Sequence, residues 1–314
     1  MTSLIRMTRA VRFLSISNSN LIVVLLMLLG AGFFWGSLVD INFEGFESKF
    51  FSAFVLLVIS GVFGYLGKYS RLENVCCVMG IWLLLGMASI IFCYMFATLR
   101  FPLYDKQLSA LDKAFGFDWV SYFNFCIRHQ FVNKVLRVAY SSLGWQTIFT
   151  ISFLAYRRKF TKNIELVWIT LVSLLITTAV SGIIPACGTF YFYGVGLENA
   201  VHLKDYFSLR TGEPLRFALD NIHGIITFPS FHTASAILLT YAHRGERSFY
   251  LFLLANILMI LATPVFGGHY LVDVLGGGVV AVFSIFLVQY LKALIGENGR
   301  RKAYGLRFGW KIHF

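Results

Sequence analysis

The chain has 314 residues, 58% of them hydrophobic and 13% charged, where a soluble domain carries roughly 25% charged. A single water-soluble core of this length cannot hide so much apolar surface, and the composition is that of an integral membrane protein. The net charge of +12 would suit a nucleic-acid binder, but the distribution of that charge along the chain excludes such a reading.

Since roughly 20 apolar residues cross the hydrocarbon, hydropathy marks about eight candidate spans, near 20–40, 49–67, 76–98, 143–156, 165–186, 229–243, 248–266 and 270–292. The first follows a basic stretch; its apolar core is too long for a cleaved signal peptide, and it reads as a signal anchor. Between the third and fourth spans, residues 100–142 repeat apolar positions every three or four residues among charges. That pattern predicts amphipathic helices in the membrane interface, with Trp119, Tyr122 and Tyr140 as anchors. A capping subdomain resting on the bundle is an equal alternative. The fourth and sixth spans are short and open to tilting, extension or a re-entrant path. The polar stretch 187–228, between spans five and six, is long enough for a loop in a compact protein to be functional. Continuous apolar runs contradict the alternation of a membrane β-barrel. The expected fold is therefore an all-α polytopic transmembrane helix bundle with interfacial amphipathic helices. Its expected parts are 1–142, a catalytic bundle 143–292, and a basic cytoplasmic tail 293–314, in one membrane domain.

With the N-terminus cytoplasmic, the inside segments carry Arg6, Arg9 and Arg12; Lys68 and Arg71; Arg157, Arg158, Lys159 and Lys162; Arg244 and Arg247; and Lys292, Arg300, Arg301, Lys302, Arg307 and Lys311. Most of the 15 acidic residues fall on the opposite side. Positive-inside bias accounts for the basic balance with no nucleic-acid partner. Both termini are expected inside, in a bacterial inner membrane. The five cysteines (76, 77, 93, 126 and 187) show no metal-ligand spacing.

Two segments carry chemistry. In FPSFHTASAILL, 228–239, Pro229 suits a first helical position. The amides of Ser230, Phe231 and His232 then face outward at the positive end of a helix dipole, an anion site to which the Ser230 hydroxyl adds a donor. His232 stands beside it as proton donor or acceptor. In FGGHYLVDVLGGG, 266–278, His269 and Asp273 are four apart and share a helix face, so the carboxylate can orient the imidazole and leave its other nitrogen as nucleophile or base. Taken singly, each segment also fits a capped helix end or a helix-end ion pair. Span seven returns the chain between them, which puts both histidines at one depth on one side. Two histidines and an amide-lined pocket suit phosphoryl transfer.

At these residues the chain resembles the type 2 phosphatidic acid phosphatase superfamily of lipid phosphatases and phosphotransferases. Pro229-Ser230-Phe231-His232 matches its Pro-Ser-Gly-His signature with Phe for Gly, and His269 with Asp273 matches the end of its Ser-Arg-x5-His-x3-Asp signature. The resemblance implies that His269 forms a phosphohistidine, Asp273 orients it, His232 protonates the leaving oxygen, and no metal or other cofactor is required. Ala262-Thr263 stands where the family has Ser-Arg, and the family's Lys-x6-Arg-Pro signature has no match. Such a variant looks like the branch that includes inositol phosphorylceramide synthases. A phosphate in a dry pocket needs other cations, for which Arg210, Arg216 and Lys204 are the candidates. Thr263 joins Ser230 and Phe231 in the expected phosphate-binding set. His202 and His223 read as surface hydrogen-bonding groups.

The expected function is hydrolysis of a lipid phosphate monoester or diphosphate at the outer, periplasmic face, with membrane lipids as surroundings. The alternatives are a lipid phosphotransferase that uses an alcohol acceptor and a proton-coupled lipid transporter.

Overall fold

A computed structural model describes residues 18–218 and 222–308, with 295–308 described by their backbone alone. Arg6, Arg9, Arg12 and Lys311 lie outside the described residues, as do the side chains of Arg300, Arg301, Lys302 and Arg307. The helices in order are α1 (Asn18–Leu38), α2 (Phe46–Leu66), α3 (Ser70–Ala97), α4 (Asp105–Ala114), α5 (Trp119–Arg128), α6 (Gln130–Ser141), α7 (Leu143–Tyr156), α8 (Phe160–Ile183), α9 (Thr189–Tyr193), α10 (Leu203–Leu209), α11 (Phe231–Ala242), α12 (Phe249–Phe266) and α13 (Leu271–Phe308). Two four-residue strands, β1 (Ile41–Glu44) and β2 (Leu215–Ala218), pair in parallel.

The chain is an all-α polytopic membrane bundle. Among the described residues, six helices are long and apolar enough to cross a membrane: α1, α2, α3, α8, α12 and the Leu271–Leu294 portion of α13. They coincide with six of the eight expected spans. The other two, α7 and α11, have 14 and 12 residues. At 1.5 Å per residue they measure about 21 and 18 Å, short of a hydrocarbon layer of roughly 30 Å.

Both short helices nevertheless reach the basic pole of the bundle. Glu246, just beyond α11, pairs with Arg157 at the end of α7 and with Lys162 of α8. Glu165 of α8 pairs with Arg244 and with Lys292 of α13. Nearly buried carboxylates are tolerated there because each has two cationic partners. The shortfall in length therefore falls at the other pole. The Ser230 carbonyl, at the entry to α11, lies beside Gly277 of α13, about 9 Å below the first residue of α13 at 1.5 Å per residue.

That crossing depends on a missing side chain. A Cβ on Gly277 would lie 2.2 Å from the Ser230 carbonyl oxygen and 3.0 Å from Thr233 Cβ. α11 is the hub of the bundle, packed on α7, α8, α12 and α13. α1 and α2 pack on α3, which carries them against α7 and α8. Leu154, Leu166, Leu238, Phe252 and Ala281 fill the space around α11.

The helices of 100–142 cap the pole opposite the basic one, and the three expected anchors Trp119, Tyr122 and Tyr140 pack against the bundle. Trp119 is 1% exposed and donates its indole N–H to the Pro264 carbonyl at 2.9 Å, filling a last-turn acceptor of α12. Tyr122 donates to the Leu261 carbonyl at 2.8 Å. Phe131 and Val138 of α6 stay exposed, so the segment both caps the bundle and presents apolar side chains outward. The β1–β2 pair pins the loop after α10 to the turn between α1 and α2. Each strand is four residues long, and no local pattern in the sequence announces them.

Replacing Gly277 with Ala must push α11 and α13 apart, at a cost of about 1–3 kcal/mol for overpacking. A lower thermal midpoint of the detergent-solubilised protein checks this, with Gly278→Ala as a control, since a Cβ at Gly278 meets only Ile237 Cδ1, at 3.8 Å.

Candidate active site

Ser230 is the N-cap of α11, its hydroxyl accepting from the Thr233 amide at 3.4 Å. Pro229 therefore lies one step before the cap, not at the first helical position. The Ser230 amide is not free either, because it donates to the Asp273 carbonyl at 3.0 Å. The first-turn amides left for an anion are those of Phe231 and His232.

Asp273 is fully buried. Its Oδ2 accepts from the Tyr270 amide at 2.8 Å and lies 3.2 Å from His269 Nδ1. His269 is 3% exposed, and its ring also meets the Thr227 backbone. Burial pushes its pKa down to about 4, which keeps the imidazole neutral, the nucleophilic form. His232 stacks on Tyr140, with ring centroids 4.3 Å apart and planes 14° apart.

Gly267 shows how tightly these groups meet. A Cβ there would lie 2.6 Å from His269 Cδ2, 2.8 Å from the Tyr140 hydroxyl and 2.9 Å from the Thr263 carbonyl. The Tyr140 hydroxyl thus reaches the side of His269 while the Tyr140 ring lies against His232, so one tyrosine spans the gap between the two histidines. Burial raises the Tyr140 phenol well above its ordinary pKa, so it remains a hydrogen-bond donor.

Two carboxylates of α4 set the backbone around His269. Asp105 is buried and accepts from the Cys187 and Gly188 amides and from the Tyr270 hydroxyl, each at 2.9 Å. Asp112, fully buried, accepts from the Leu271 and Val272 amides at 2.9 Å and so caps the start of α13. Negative charge there also suits the helix dipole. The Thr189 amide closes the arrangement by donating to the Gly268 carbonyl at 2.8 Å.

The remaining expected residues separate. Arg216 is exposed on β2 and pairs with Glu44 at 3.4 Å. Lys204 is exposed on α10. Arg210 donates to the Phe101 carbonyl at 2.7 Å and lies near Cys187. Thr263 is buried with its hydroxyl donating back to the Met259 carbonyl at 2.9 Å.

Other groups at the pocket carried no motif. His202 is half-buried, 3.3 Å from the Cys187 carbonyl and within electrostatic range of His269, and burial lowers its pKa. Arg137 sits 4.8 Å above the Phe266 ring, one turn before Tyr140. Asp105, Asp112 and Tyr140 are likewise brought in by tertiary contacts. In the sequence, the i, i+3 relation of Arg137 and Tyr140 and the i, i+7 relation of Asp105 and Asp112 could each have linked a pair of them.

The family model described as the PAP2 superfamily matches residues 106–287, more than half of the 314-residue chain. The chain belongs to the PAP2 superfamily. Membership supports a phosphatase-type function. The PAP2 match begins ahead of residue 143, the expected start of the catalytic bundle, and so takes in Asp112 and Tyr140. No curated protein and no solved structure matches the chain.

Two substitutions test this architecture. Gly267→Ala forces His269 or Tyr140 aside and should lower kcat by about 10²-fold, the cost of misplacing reacting groups by roughly 1 Å. Asp112→Asn keeps the shape but weakens the charge-assisted cap; a fall in kcat with little change in KM is expected from steady-state kinetics.

Proposed function

We propose that this PAP2 protein hydrolyses a phosphate monoester or diphosphate of a lipid through a phosphohistidine on His269. The observation that carries the reading is an Asp273-held His269 within electrostatic range of His232, which sits in the first turn of α11 beside the Phe231 amide. In the first step the free nitrogen of His269 attacks phosphorus, the bond from phosphorus to the lipid oxygen breaks, and His232 gives that oxygen a proton. The bound phosphate's negative charge favours the protonated His232 ring for this step. In the second step His232 takes a proton from water, which attacks the phosphohistidine and returns His269 to its neutral form. The Phe231 and His232 amides stabilise the phosphoryl oxygens, and Ser230 holds the turn. His202, Arg137 and Arg210 are the cationic or ionisable groups proposed to stand in for the arginine missing at Thr263. Arg216 is a weaker candidate because it pairs with Glu44 across β1 and β2, and Lys204 is a weaker one, exposed on α10.

The positive-inside distribution supports a site at the outer face, with both termini cytoplasmic, and a bacterial inner membrane accommodates this plan. Phosphoryl transfer to an alcohol is the second reading, favoured by Thr263 in the place of the family arginine. Labelled phospholipid separates the two: free phosphate marks hydrolysis, and label on an added polyol marks transfer. Among the described residues, the Asp, Glu, Lys and Arg side chains of the spans lie toward their ends and not at mid-depth, which weighs against a proton-coupled transporter.

Rapid acid-free quench and mass spectrometry should trap phosphate on His269 in wild type and none in His269→Gln. A full covalent yield in that variant would sink the mechanism. His232→Gln should cost about 10²–10⁴ in rate, the usual worth of positioned acid–base help. Because only neutral His269 attacks, kcat/KM should fall as the pH drops toward 4, not near the ordinary histidine value of about 6.5.

A further inference from the structure

A cavity of about 800 Å³ descends from the candidate active site into the membrane bundle. His232 and Tyr140 stand at its outer end. From there it follows α11 past Ser235 to Leu239, about 10 Å at 1.5 Å per residue. Toward the basic pole it is lined by Met79 and Trp82 of α3, Leu166 of α8 and Leu239 of α11, with Leu56 of α2 on one side. No Asp, Glu, Lys or Arg lines it. Ile148 on its rim is 46% exposed, so the cavity opens sideways, toward the hydrocarbon.

We propose that this cavity holds one hydrocarbon chain of the phosphate-bearing substrate, and that Trp82 and Met79 set the chain length it accepts. The inference rests on the phosphatase reading and names the part of the substrate that reading leaves open. Its volume lies within the range of small-molecule sites, roughly 300–1,000 Å³. Its walls reward apolar chains only, while its outer end holds the proton-transferring histidine. A phosphate seated at His232 and His269 therefore directs its ester substituent down along α11. The short length of α11 matters here, because it lowers the reacting groups to where a tail already lies in the bilayer. One wall of the cavity is supplied by residues 56–83, ahead of the PAP2 match at 106–287, and it faces Leu166 and Leu239 from within the match. Chain selection is thus shared between the matched helices and the α3 wall that precedes them.

The test uses the full-length protein in nanodiscs with a series of n-alkyl phosphates of rising length. For wild type, kcat/KM should climb about fourfold per added methylene, the equivalent of about 0.8 kcal/mol each, and then level off once the chain reaches the floor. Trp82→Ala should move the plateau to longer chains and Leu239→Trp to shorter ones, read as the ratio of long- to short-ester rates within each variant. Trp82→Leu gives a milder floor change should the alanine variant fail to fold. In parallel, an alkyl phosphate with a terminal diazirine is photolysed on the protein and the adduct mapped. Labelling of Met79 or Trp82 supports the proposal. An unchanged length profile in the folded variants overturns it, as does labelling confined to the outer groove around Phe131, Trp145 and Leu251. If wild type releases phosphate from no ester, the phosphatase reading fails, and the photolabel alone still judges the cavity.

Discussion

Asp273 joins the two signature segments through two different groups. Its backbone carbonyl accepts the Ser230 amide at the cap of α11, while its side chain fixes His269 at the start of α13. Both contacts are buried, where hydrogen bonds gain strength and a lost partner costs more than in water. They set the level of one helix start against the other. A shift at this point would move the start of α11 away from His269.

The contact persists because small residues let backbones approach. Gly277 admits the Ser230 carbonyl against α13, and Gly267 leaves room for Tyr140 beside His269. Around this centre the capping helices act through buried carboxylates that bind amides and a hydroxyl instead of cations. Asp112 caps α13 and Asp105 fastens the chain at Cys187 and Gly188. A carboxylate receiving two amide hydrogens fixes backbone geometry more narrowly than a surface ion pair, which contributes little and moves freely.

The bundle divides its chemistry between its poles. The basic pole holds paired charges, Glu165 and Glu246 with their arginines and lysines. The other pole holds histidines, hydroxyls and unpaired amides. Between them, α7 and α11 are too short to fill a bilayer, so the start of α11 lies recessed within the bundle, with His232 beside apolar walls.

The sequence by itself determined the membrane class, the helical architecture, six full spans and the two segments that carry His232, His269 and Asp273. These are legible because hydropathy over 20 residues and an i, i+4 spacing are local signals that any bilayer or helix must obey. Local signals also misled in places. Pro229 resembled a first helical residue, yet the helix starts only at Phe231, behind the Ser230 cap. Only the tertiary structure decided that Ser230 caps its own helix, that Arg216 pairs with Glu44, that Tyr140 stacks on His232, and that Asp105 and Asp112 hold the backbone on either side of His269. Those residues come from segments far apart in the chain, and their meeting depends on backbone approach and helix depth. Neither quantity has a periodicity to read, because each is fixed by packing between helices and not within them.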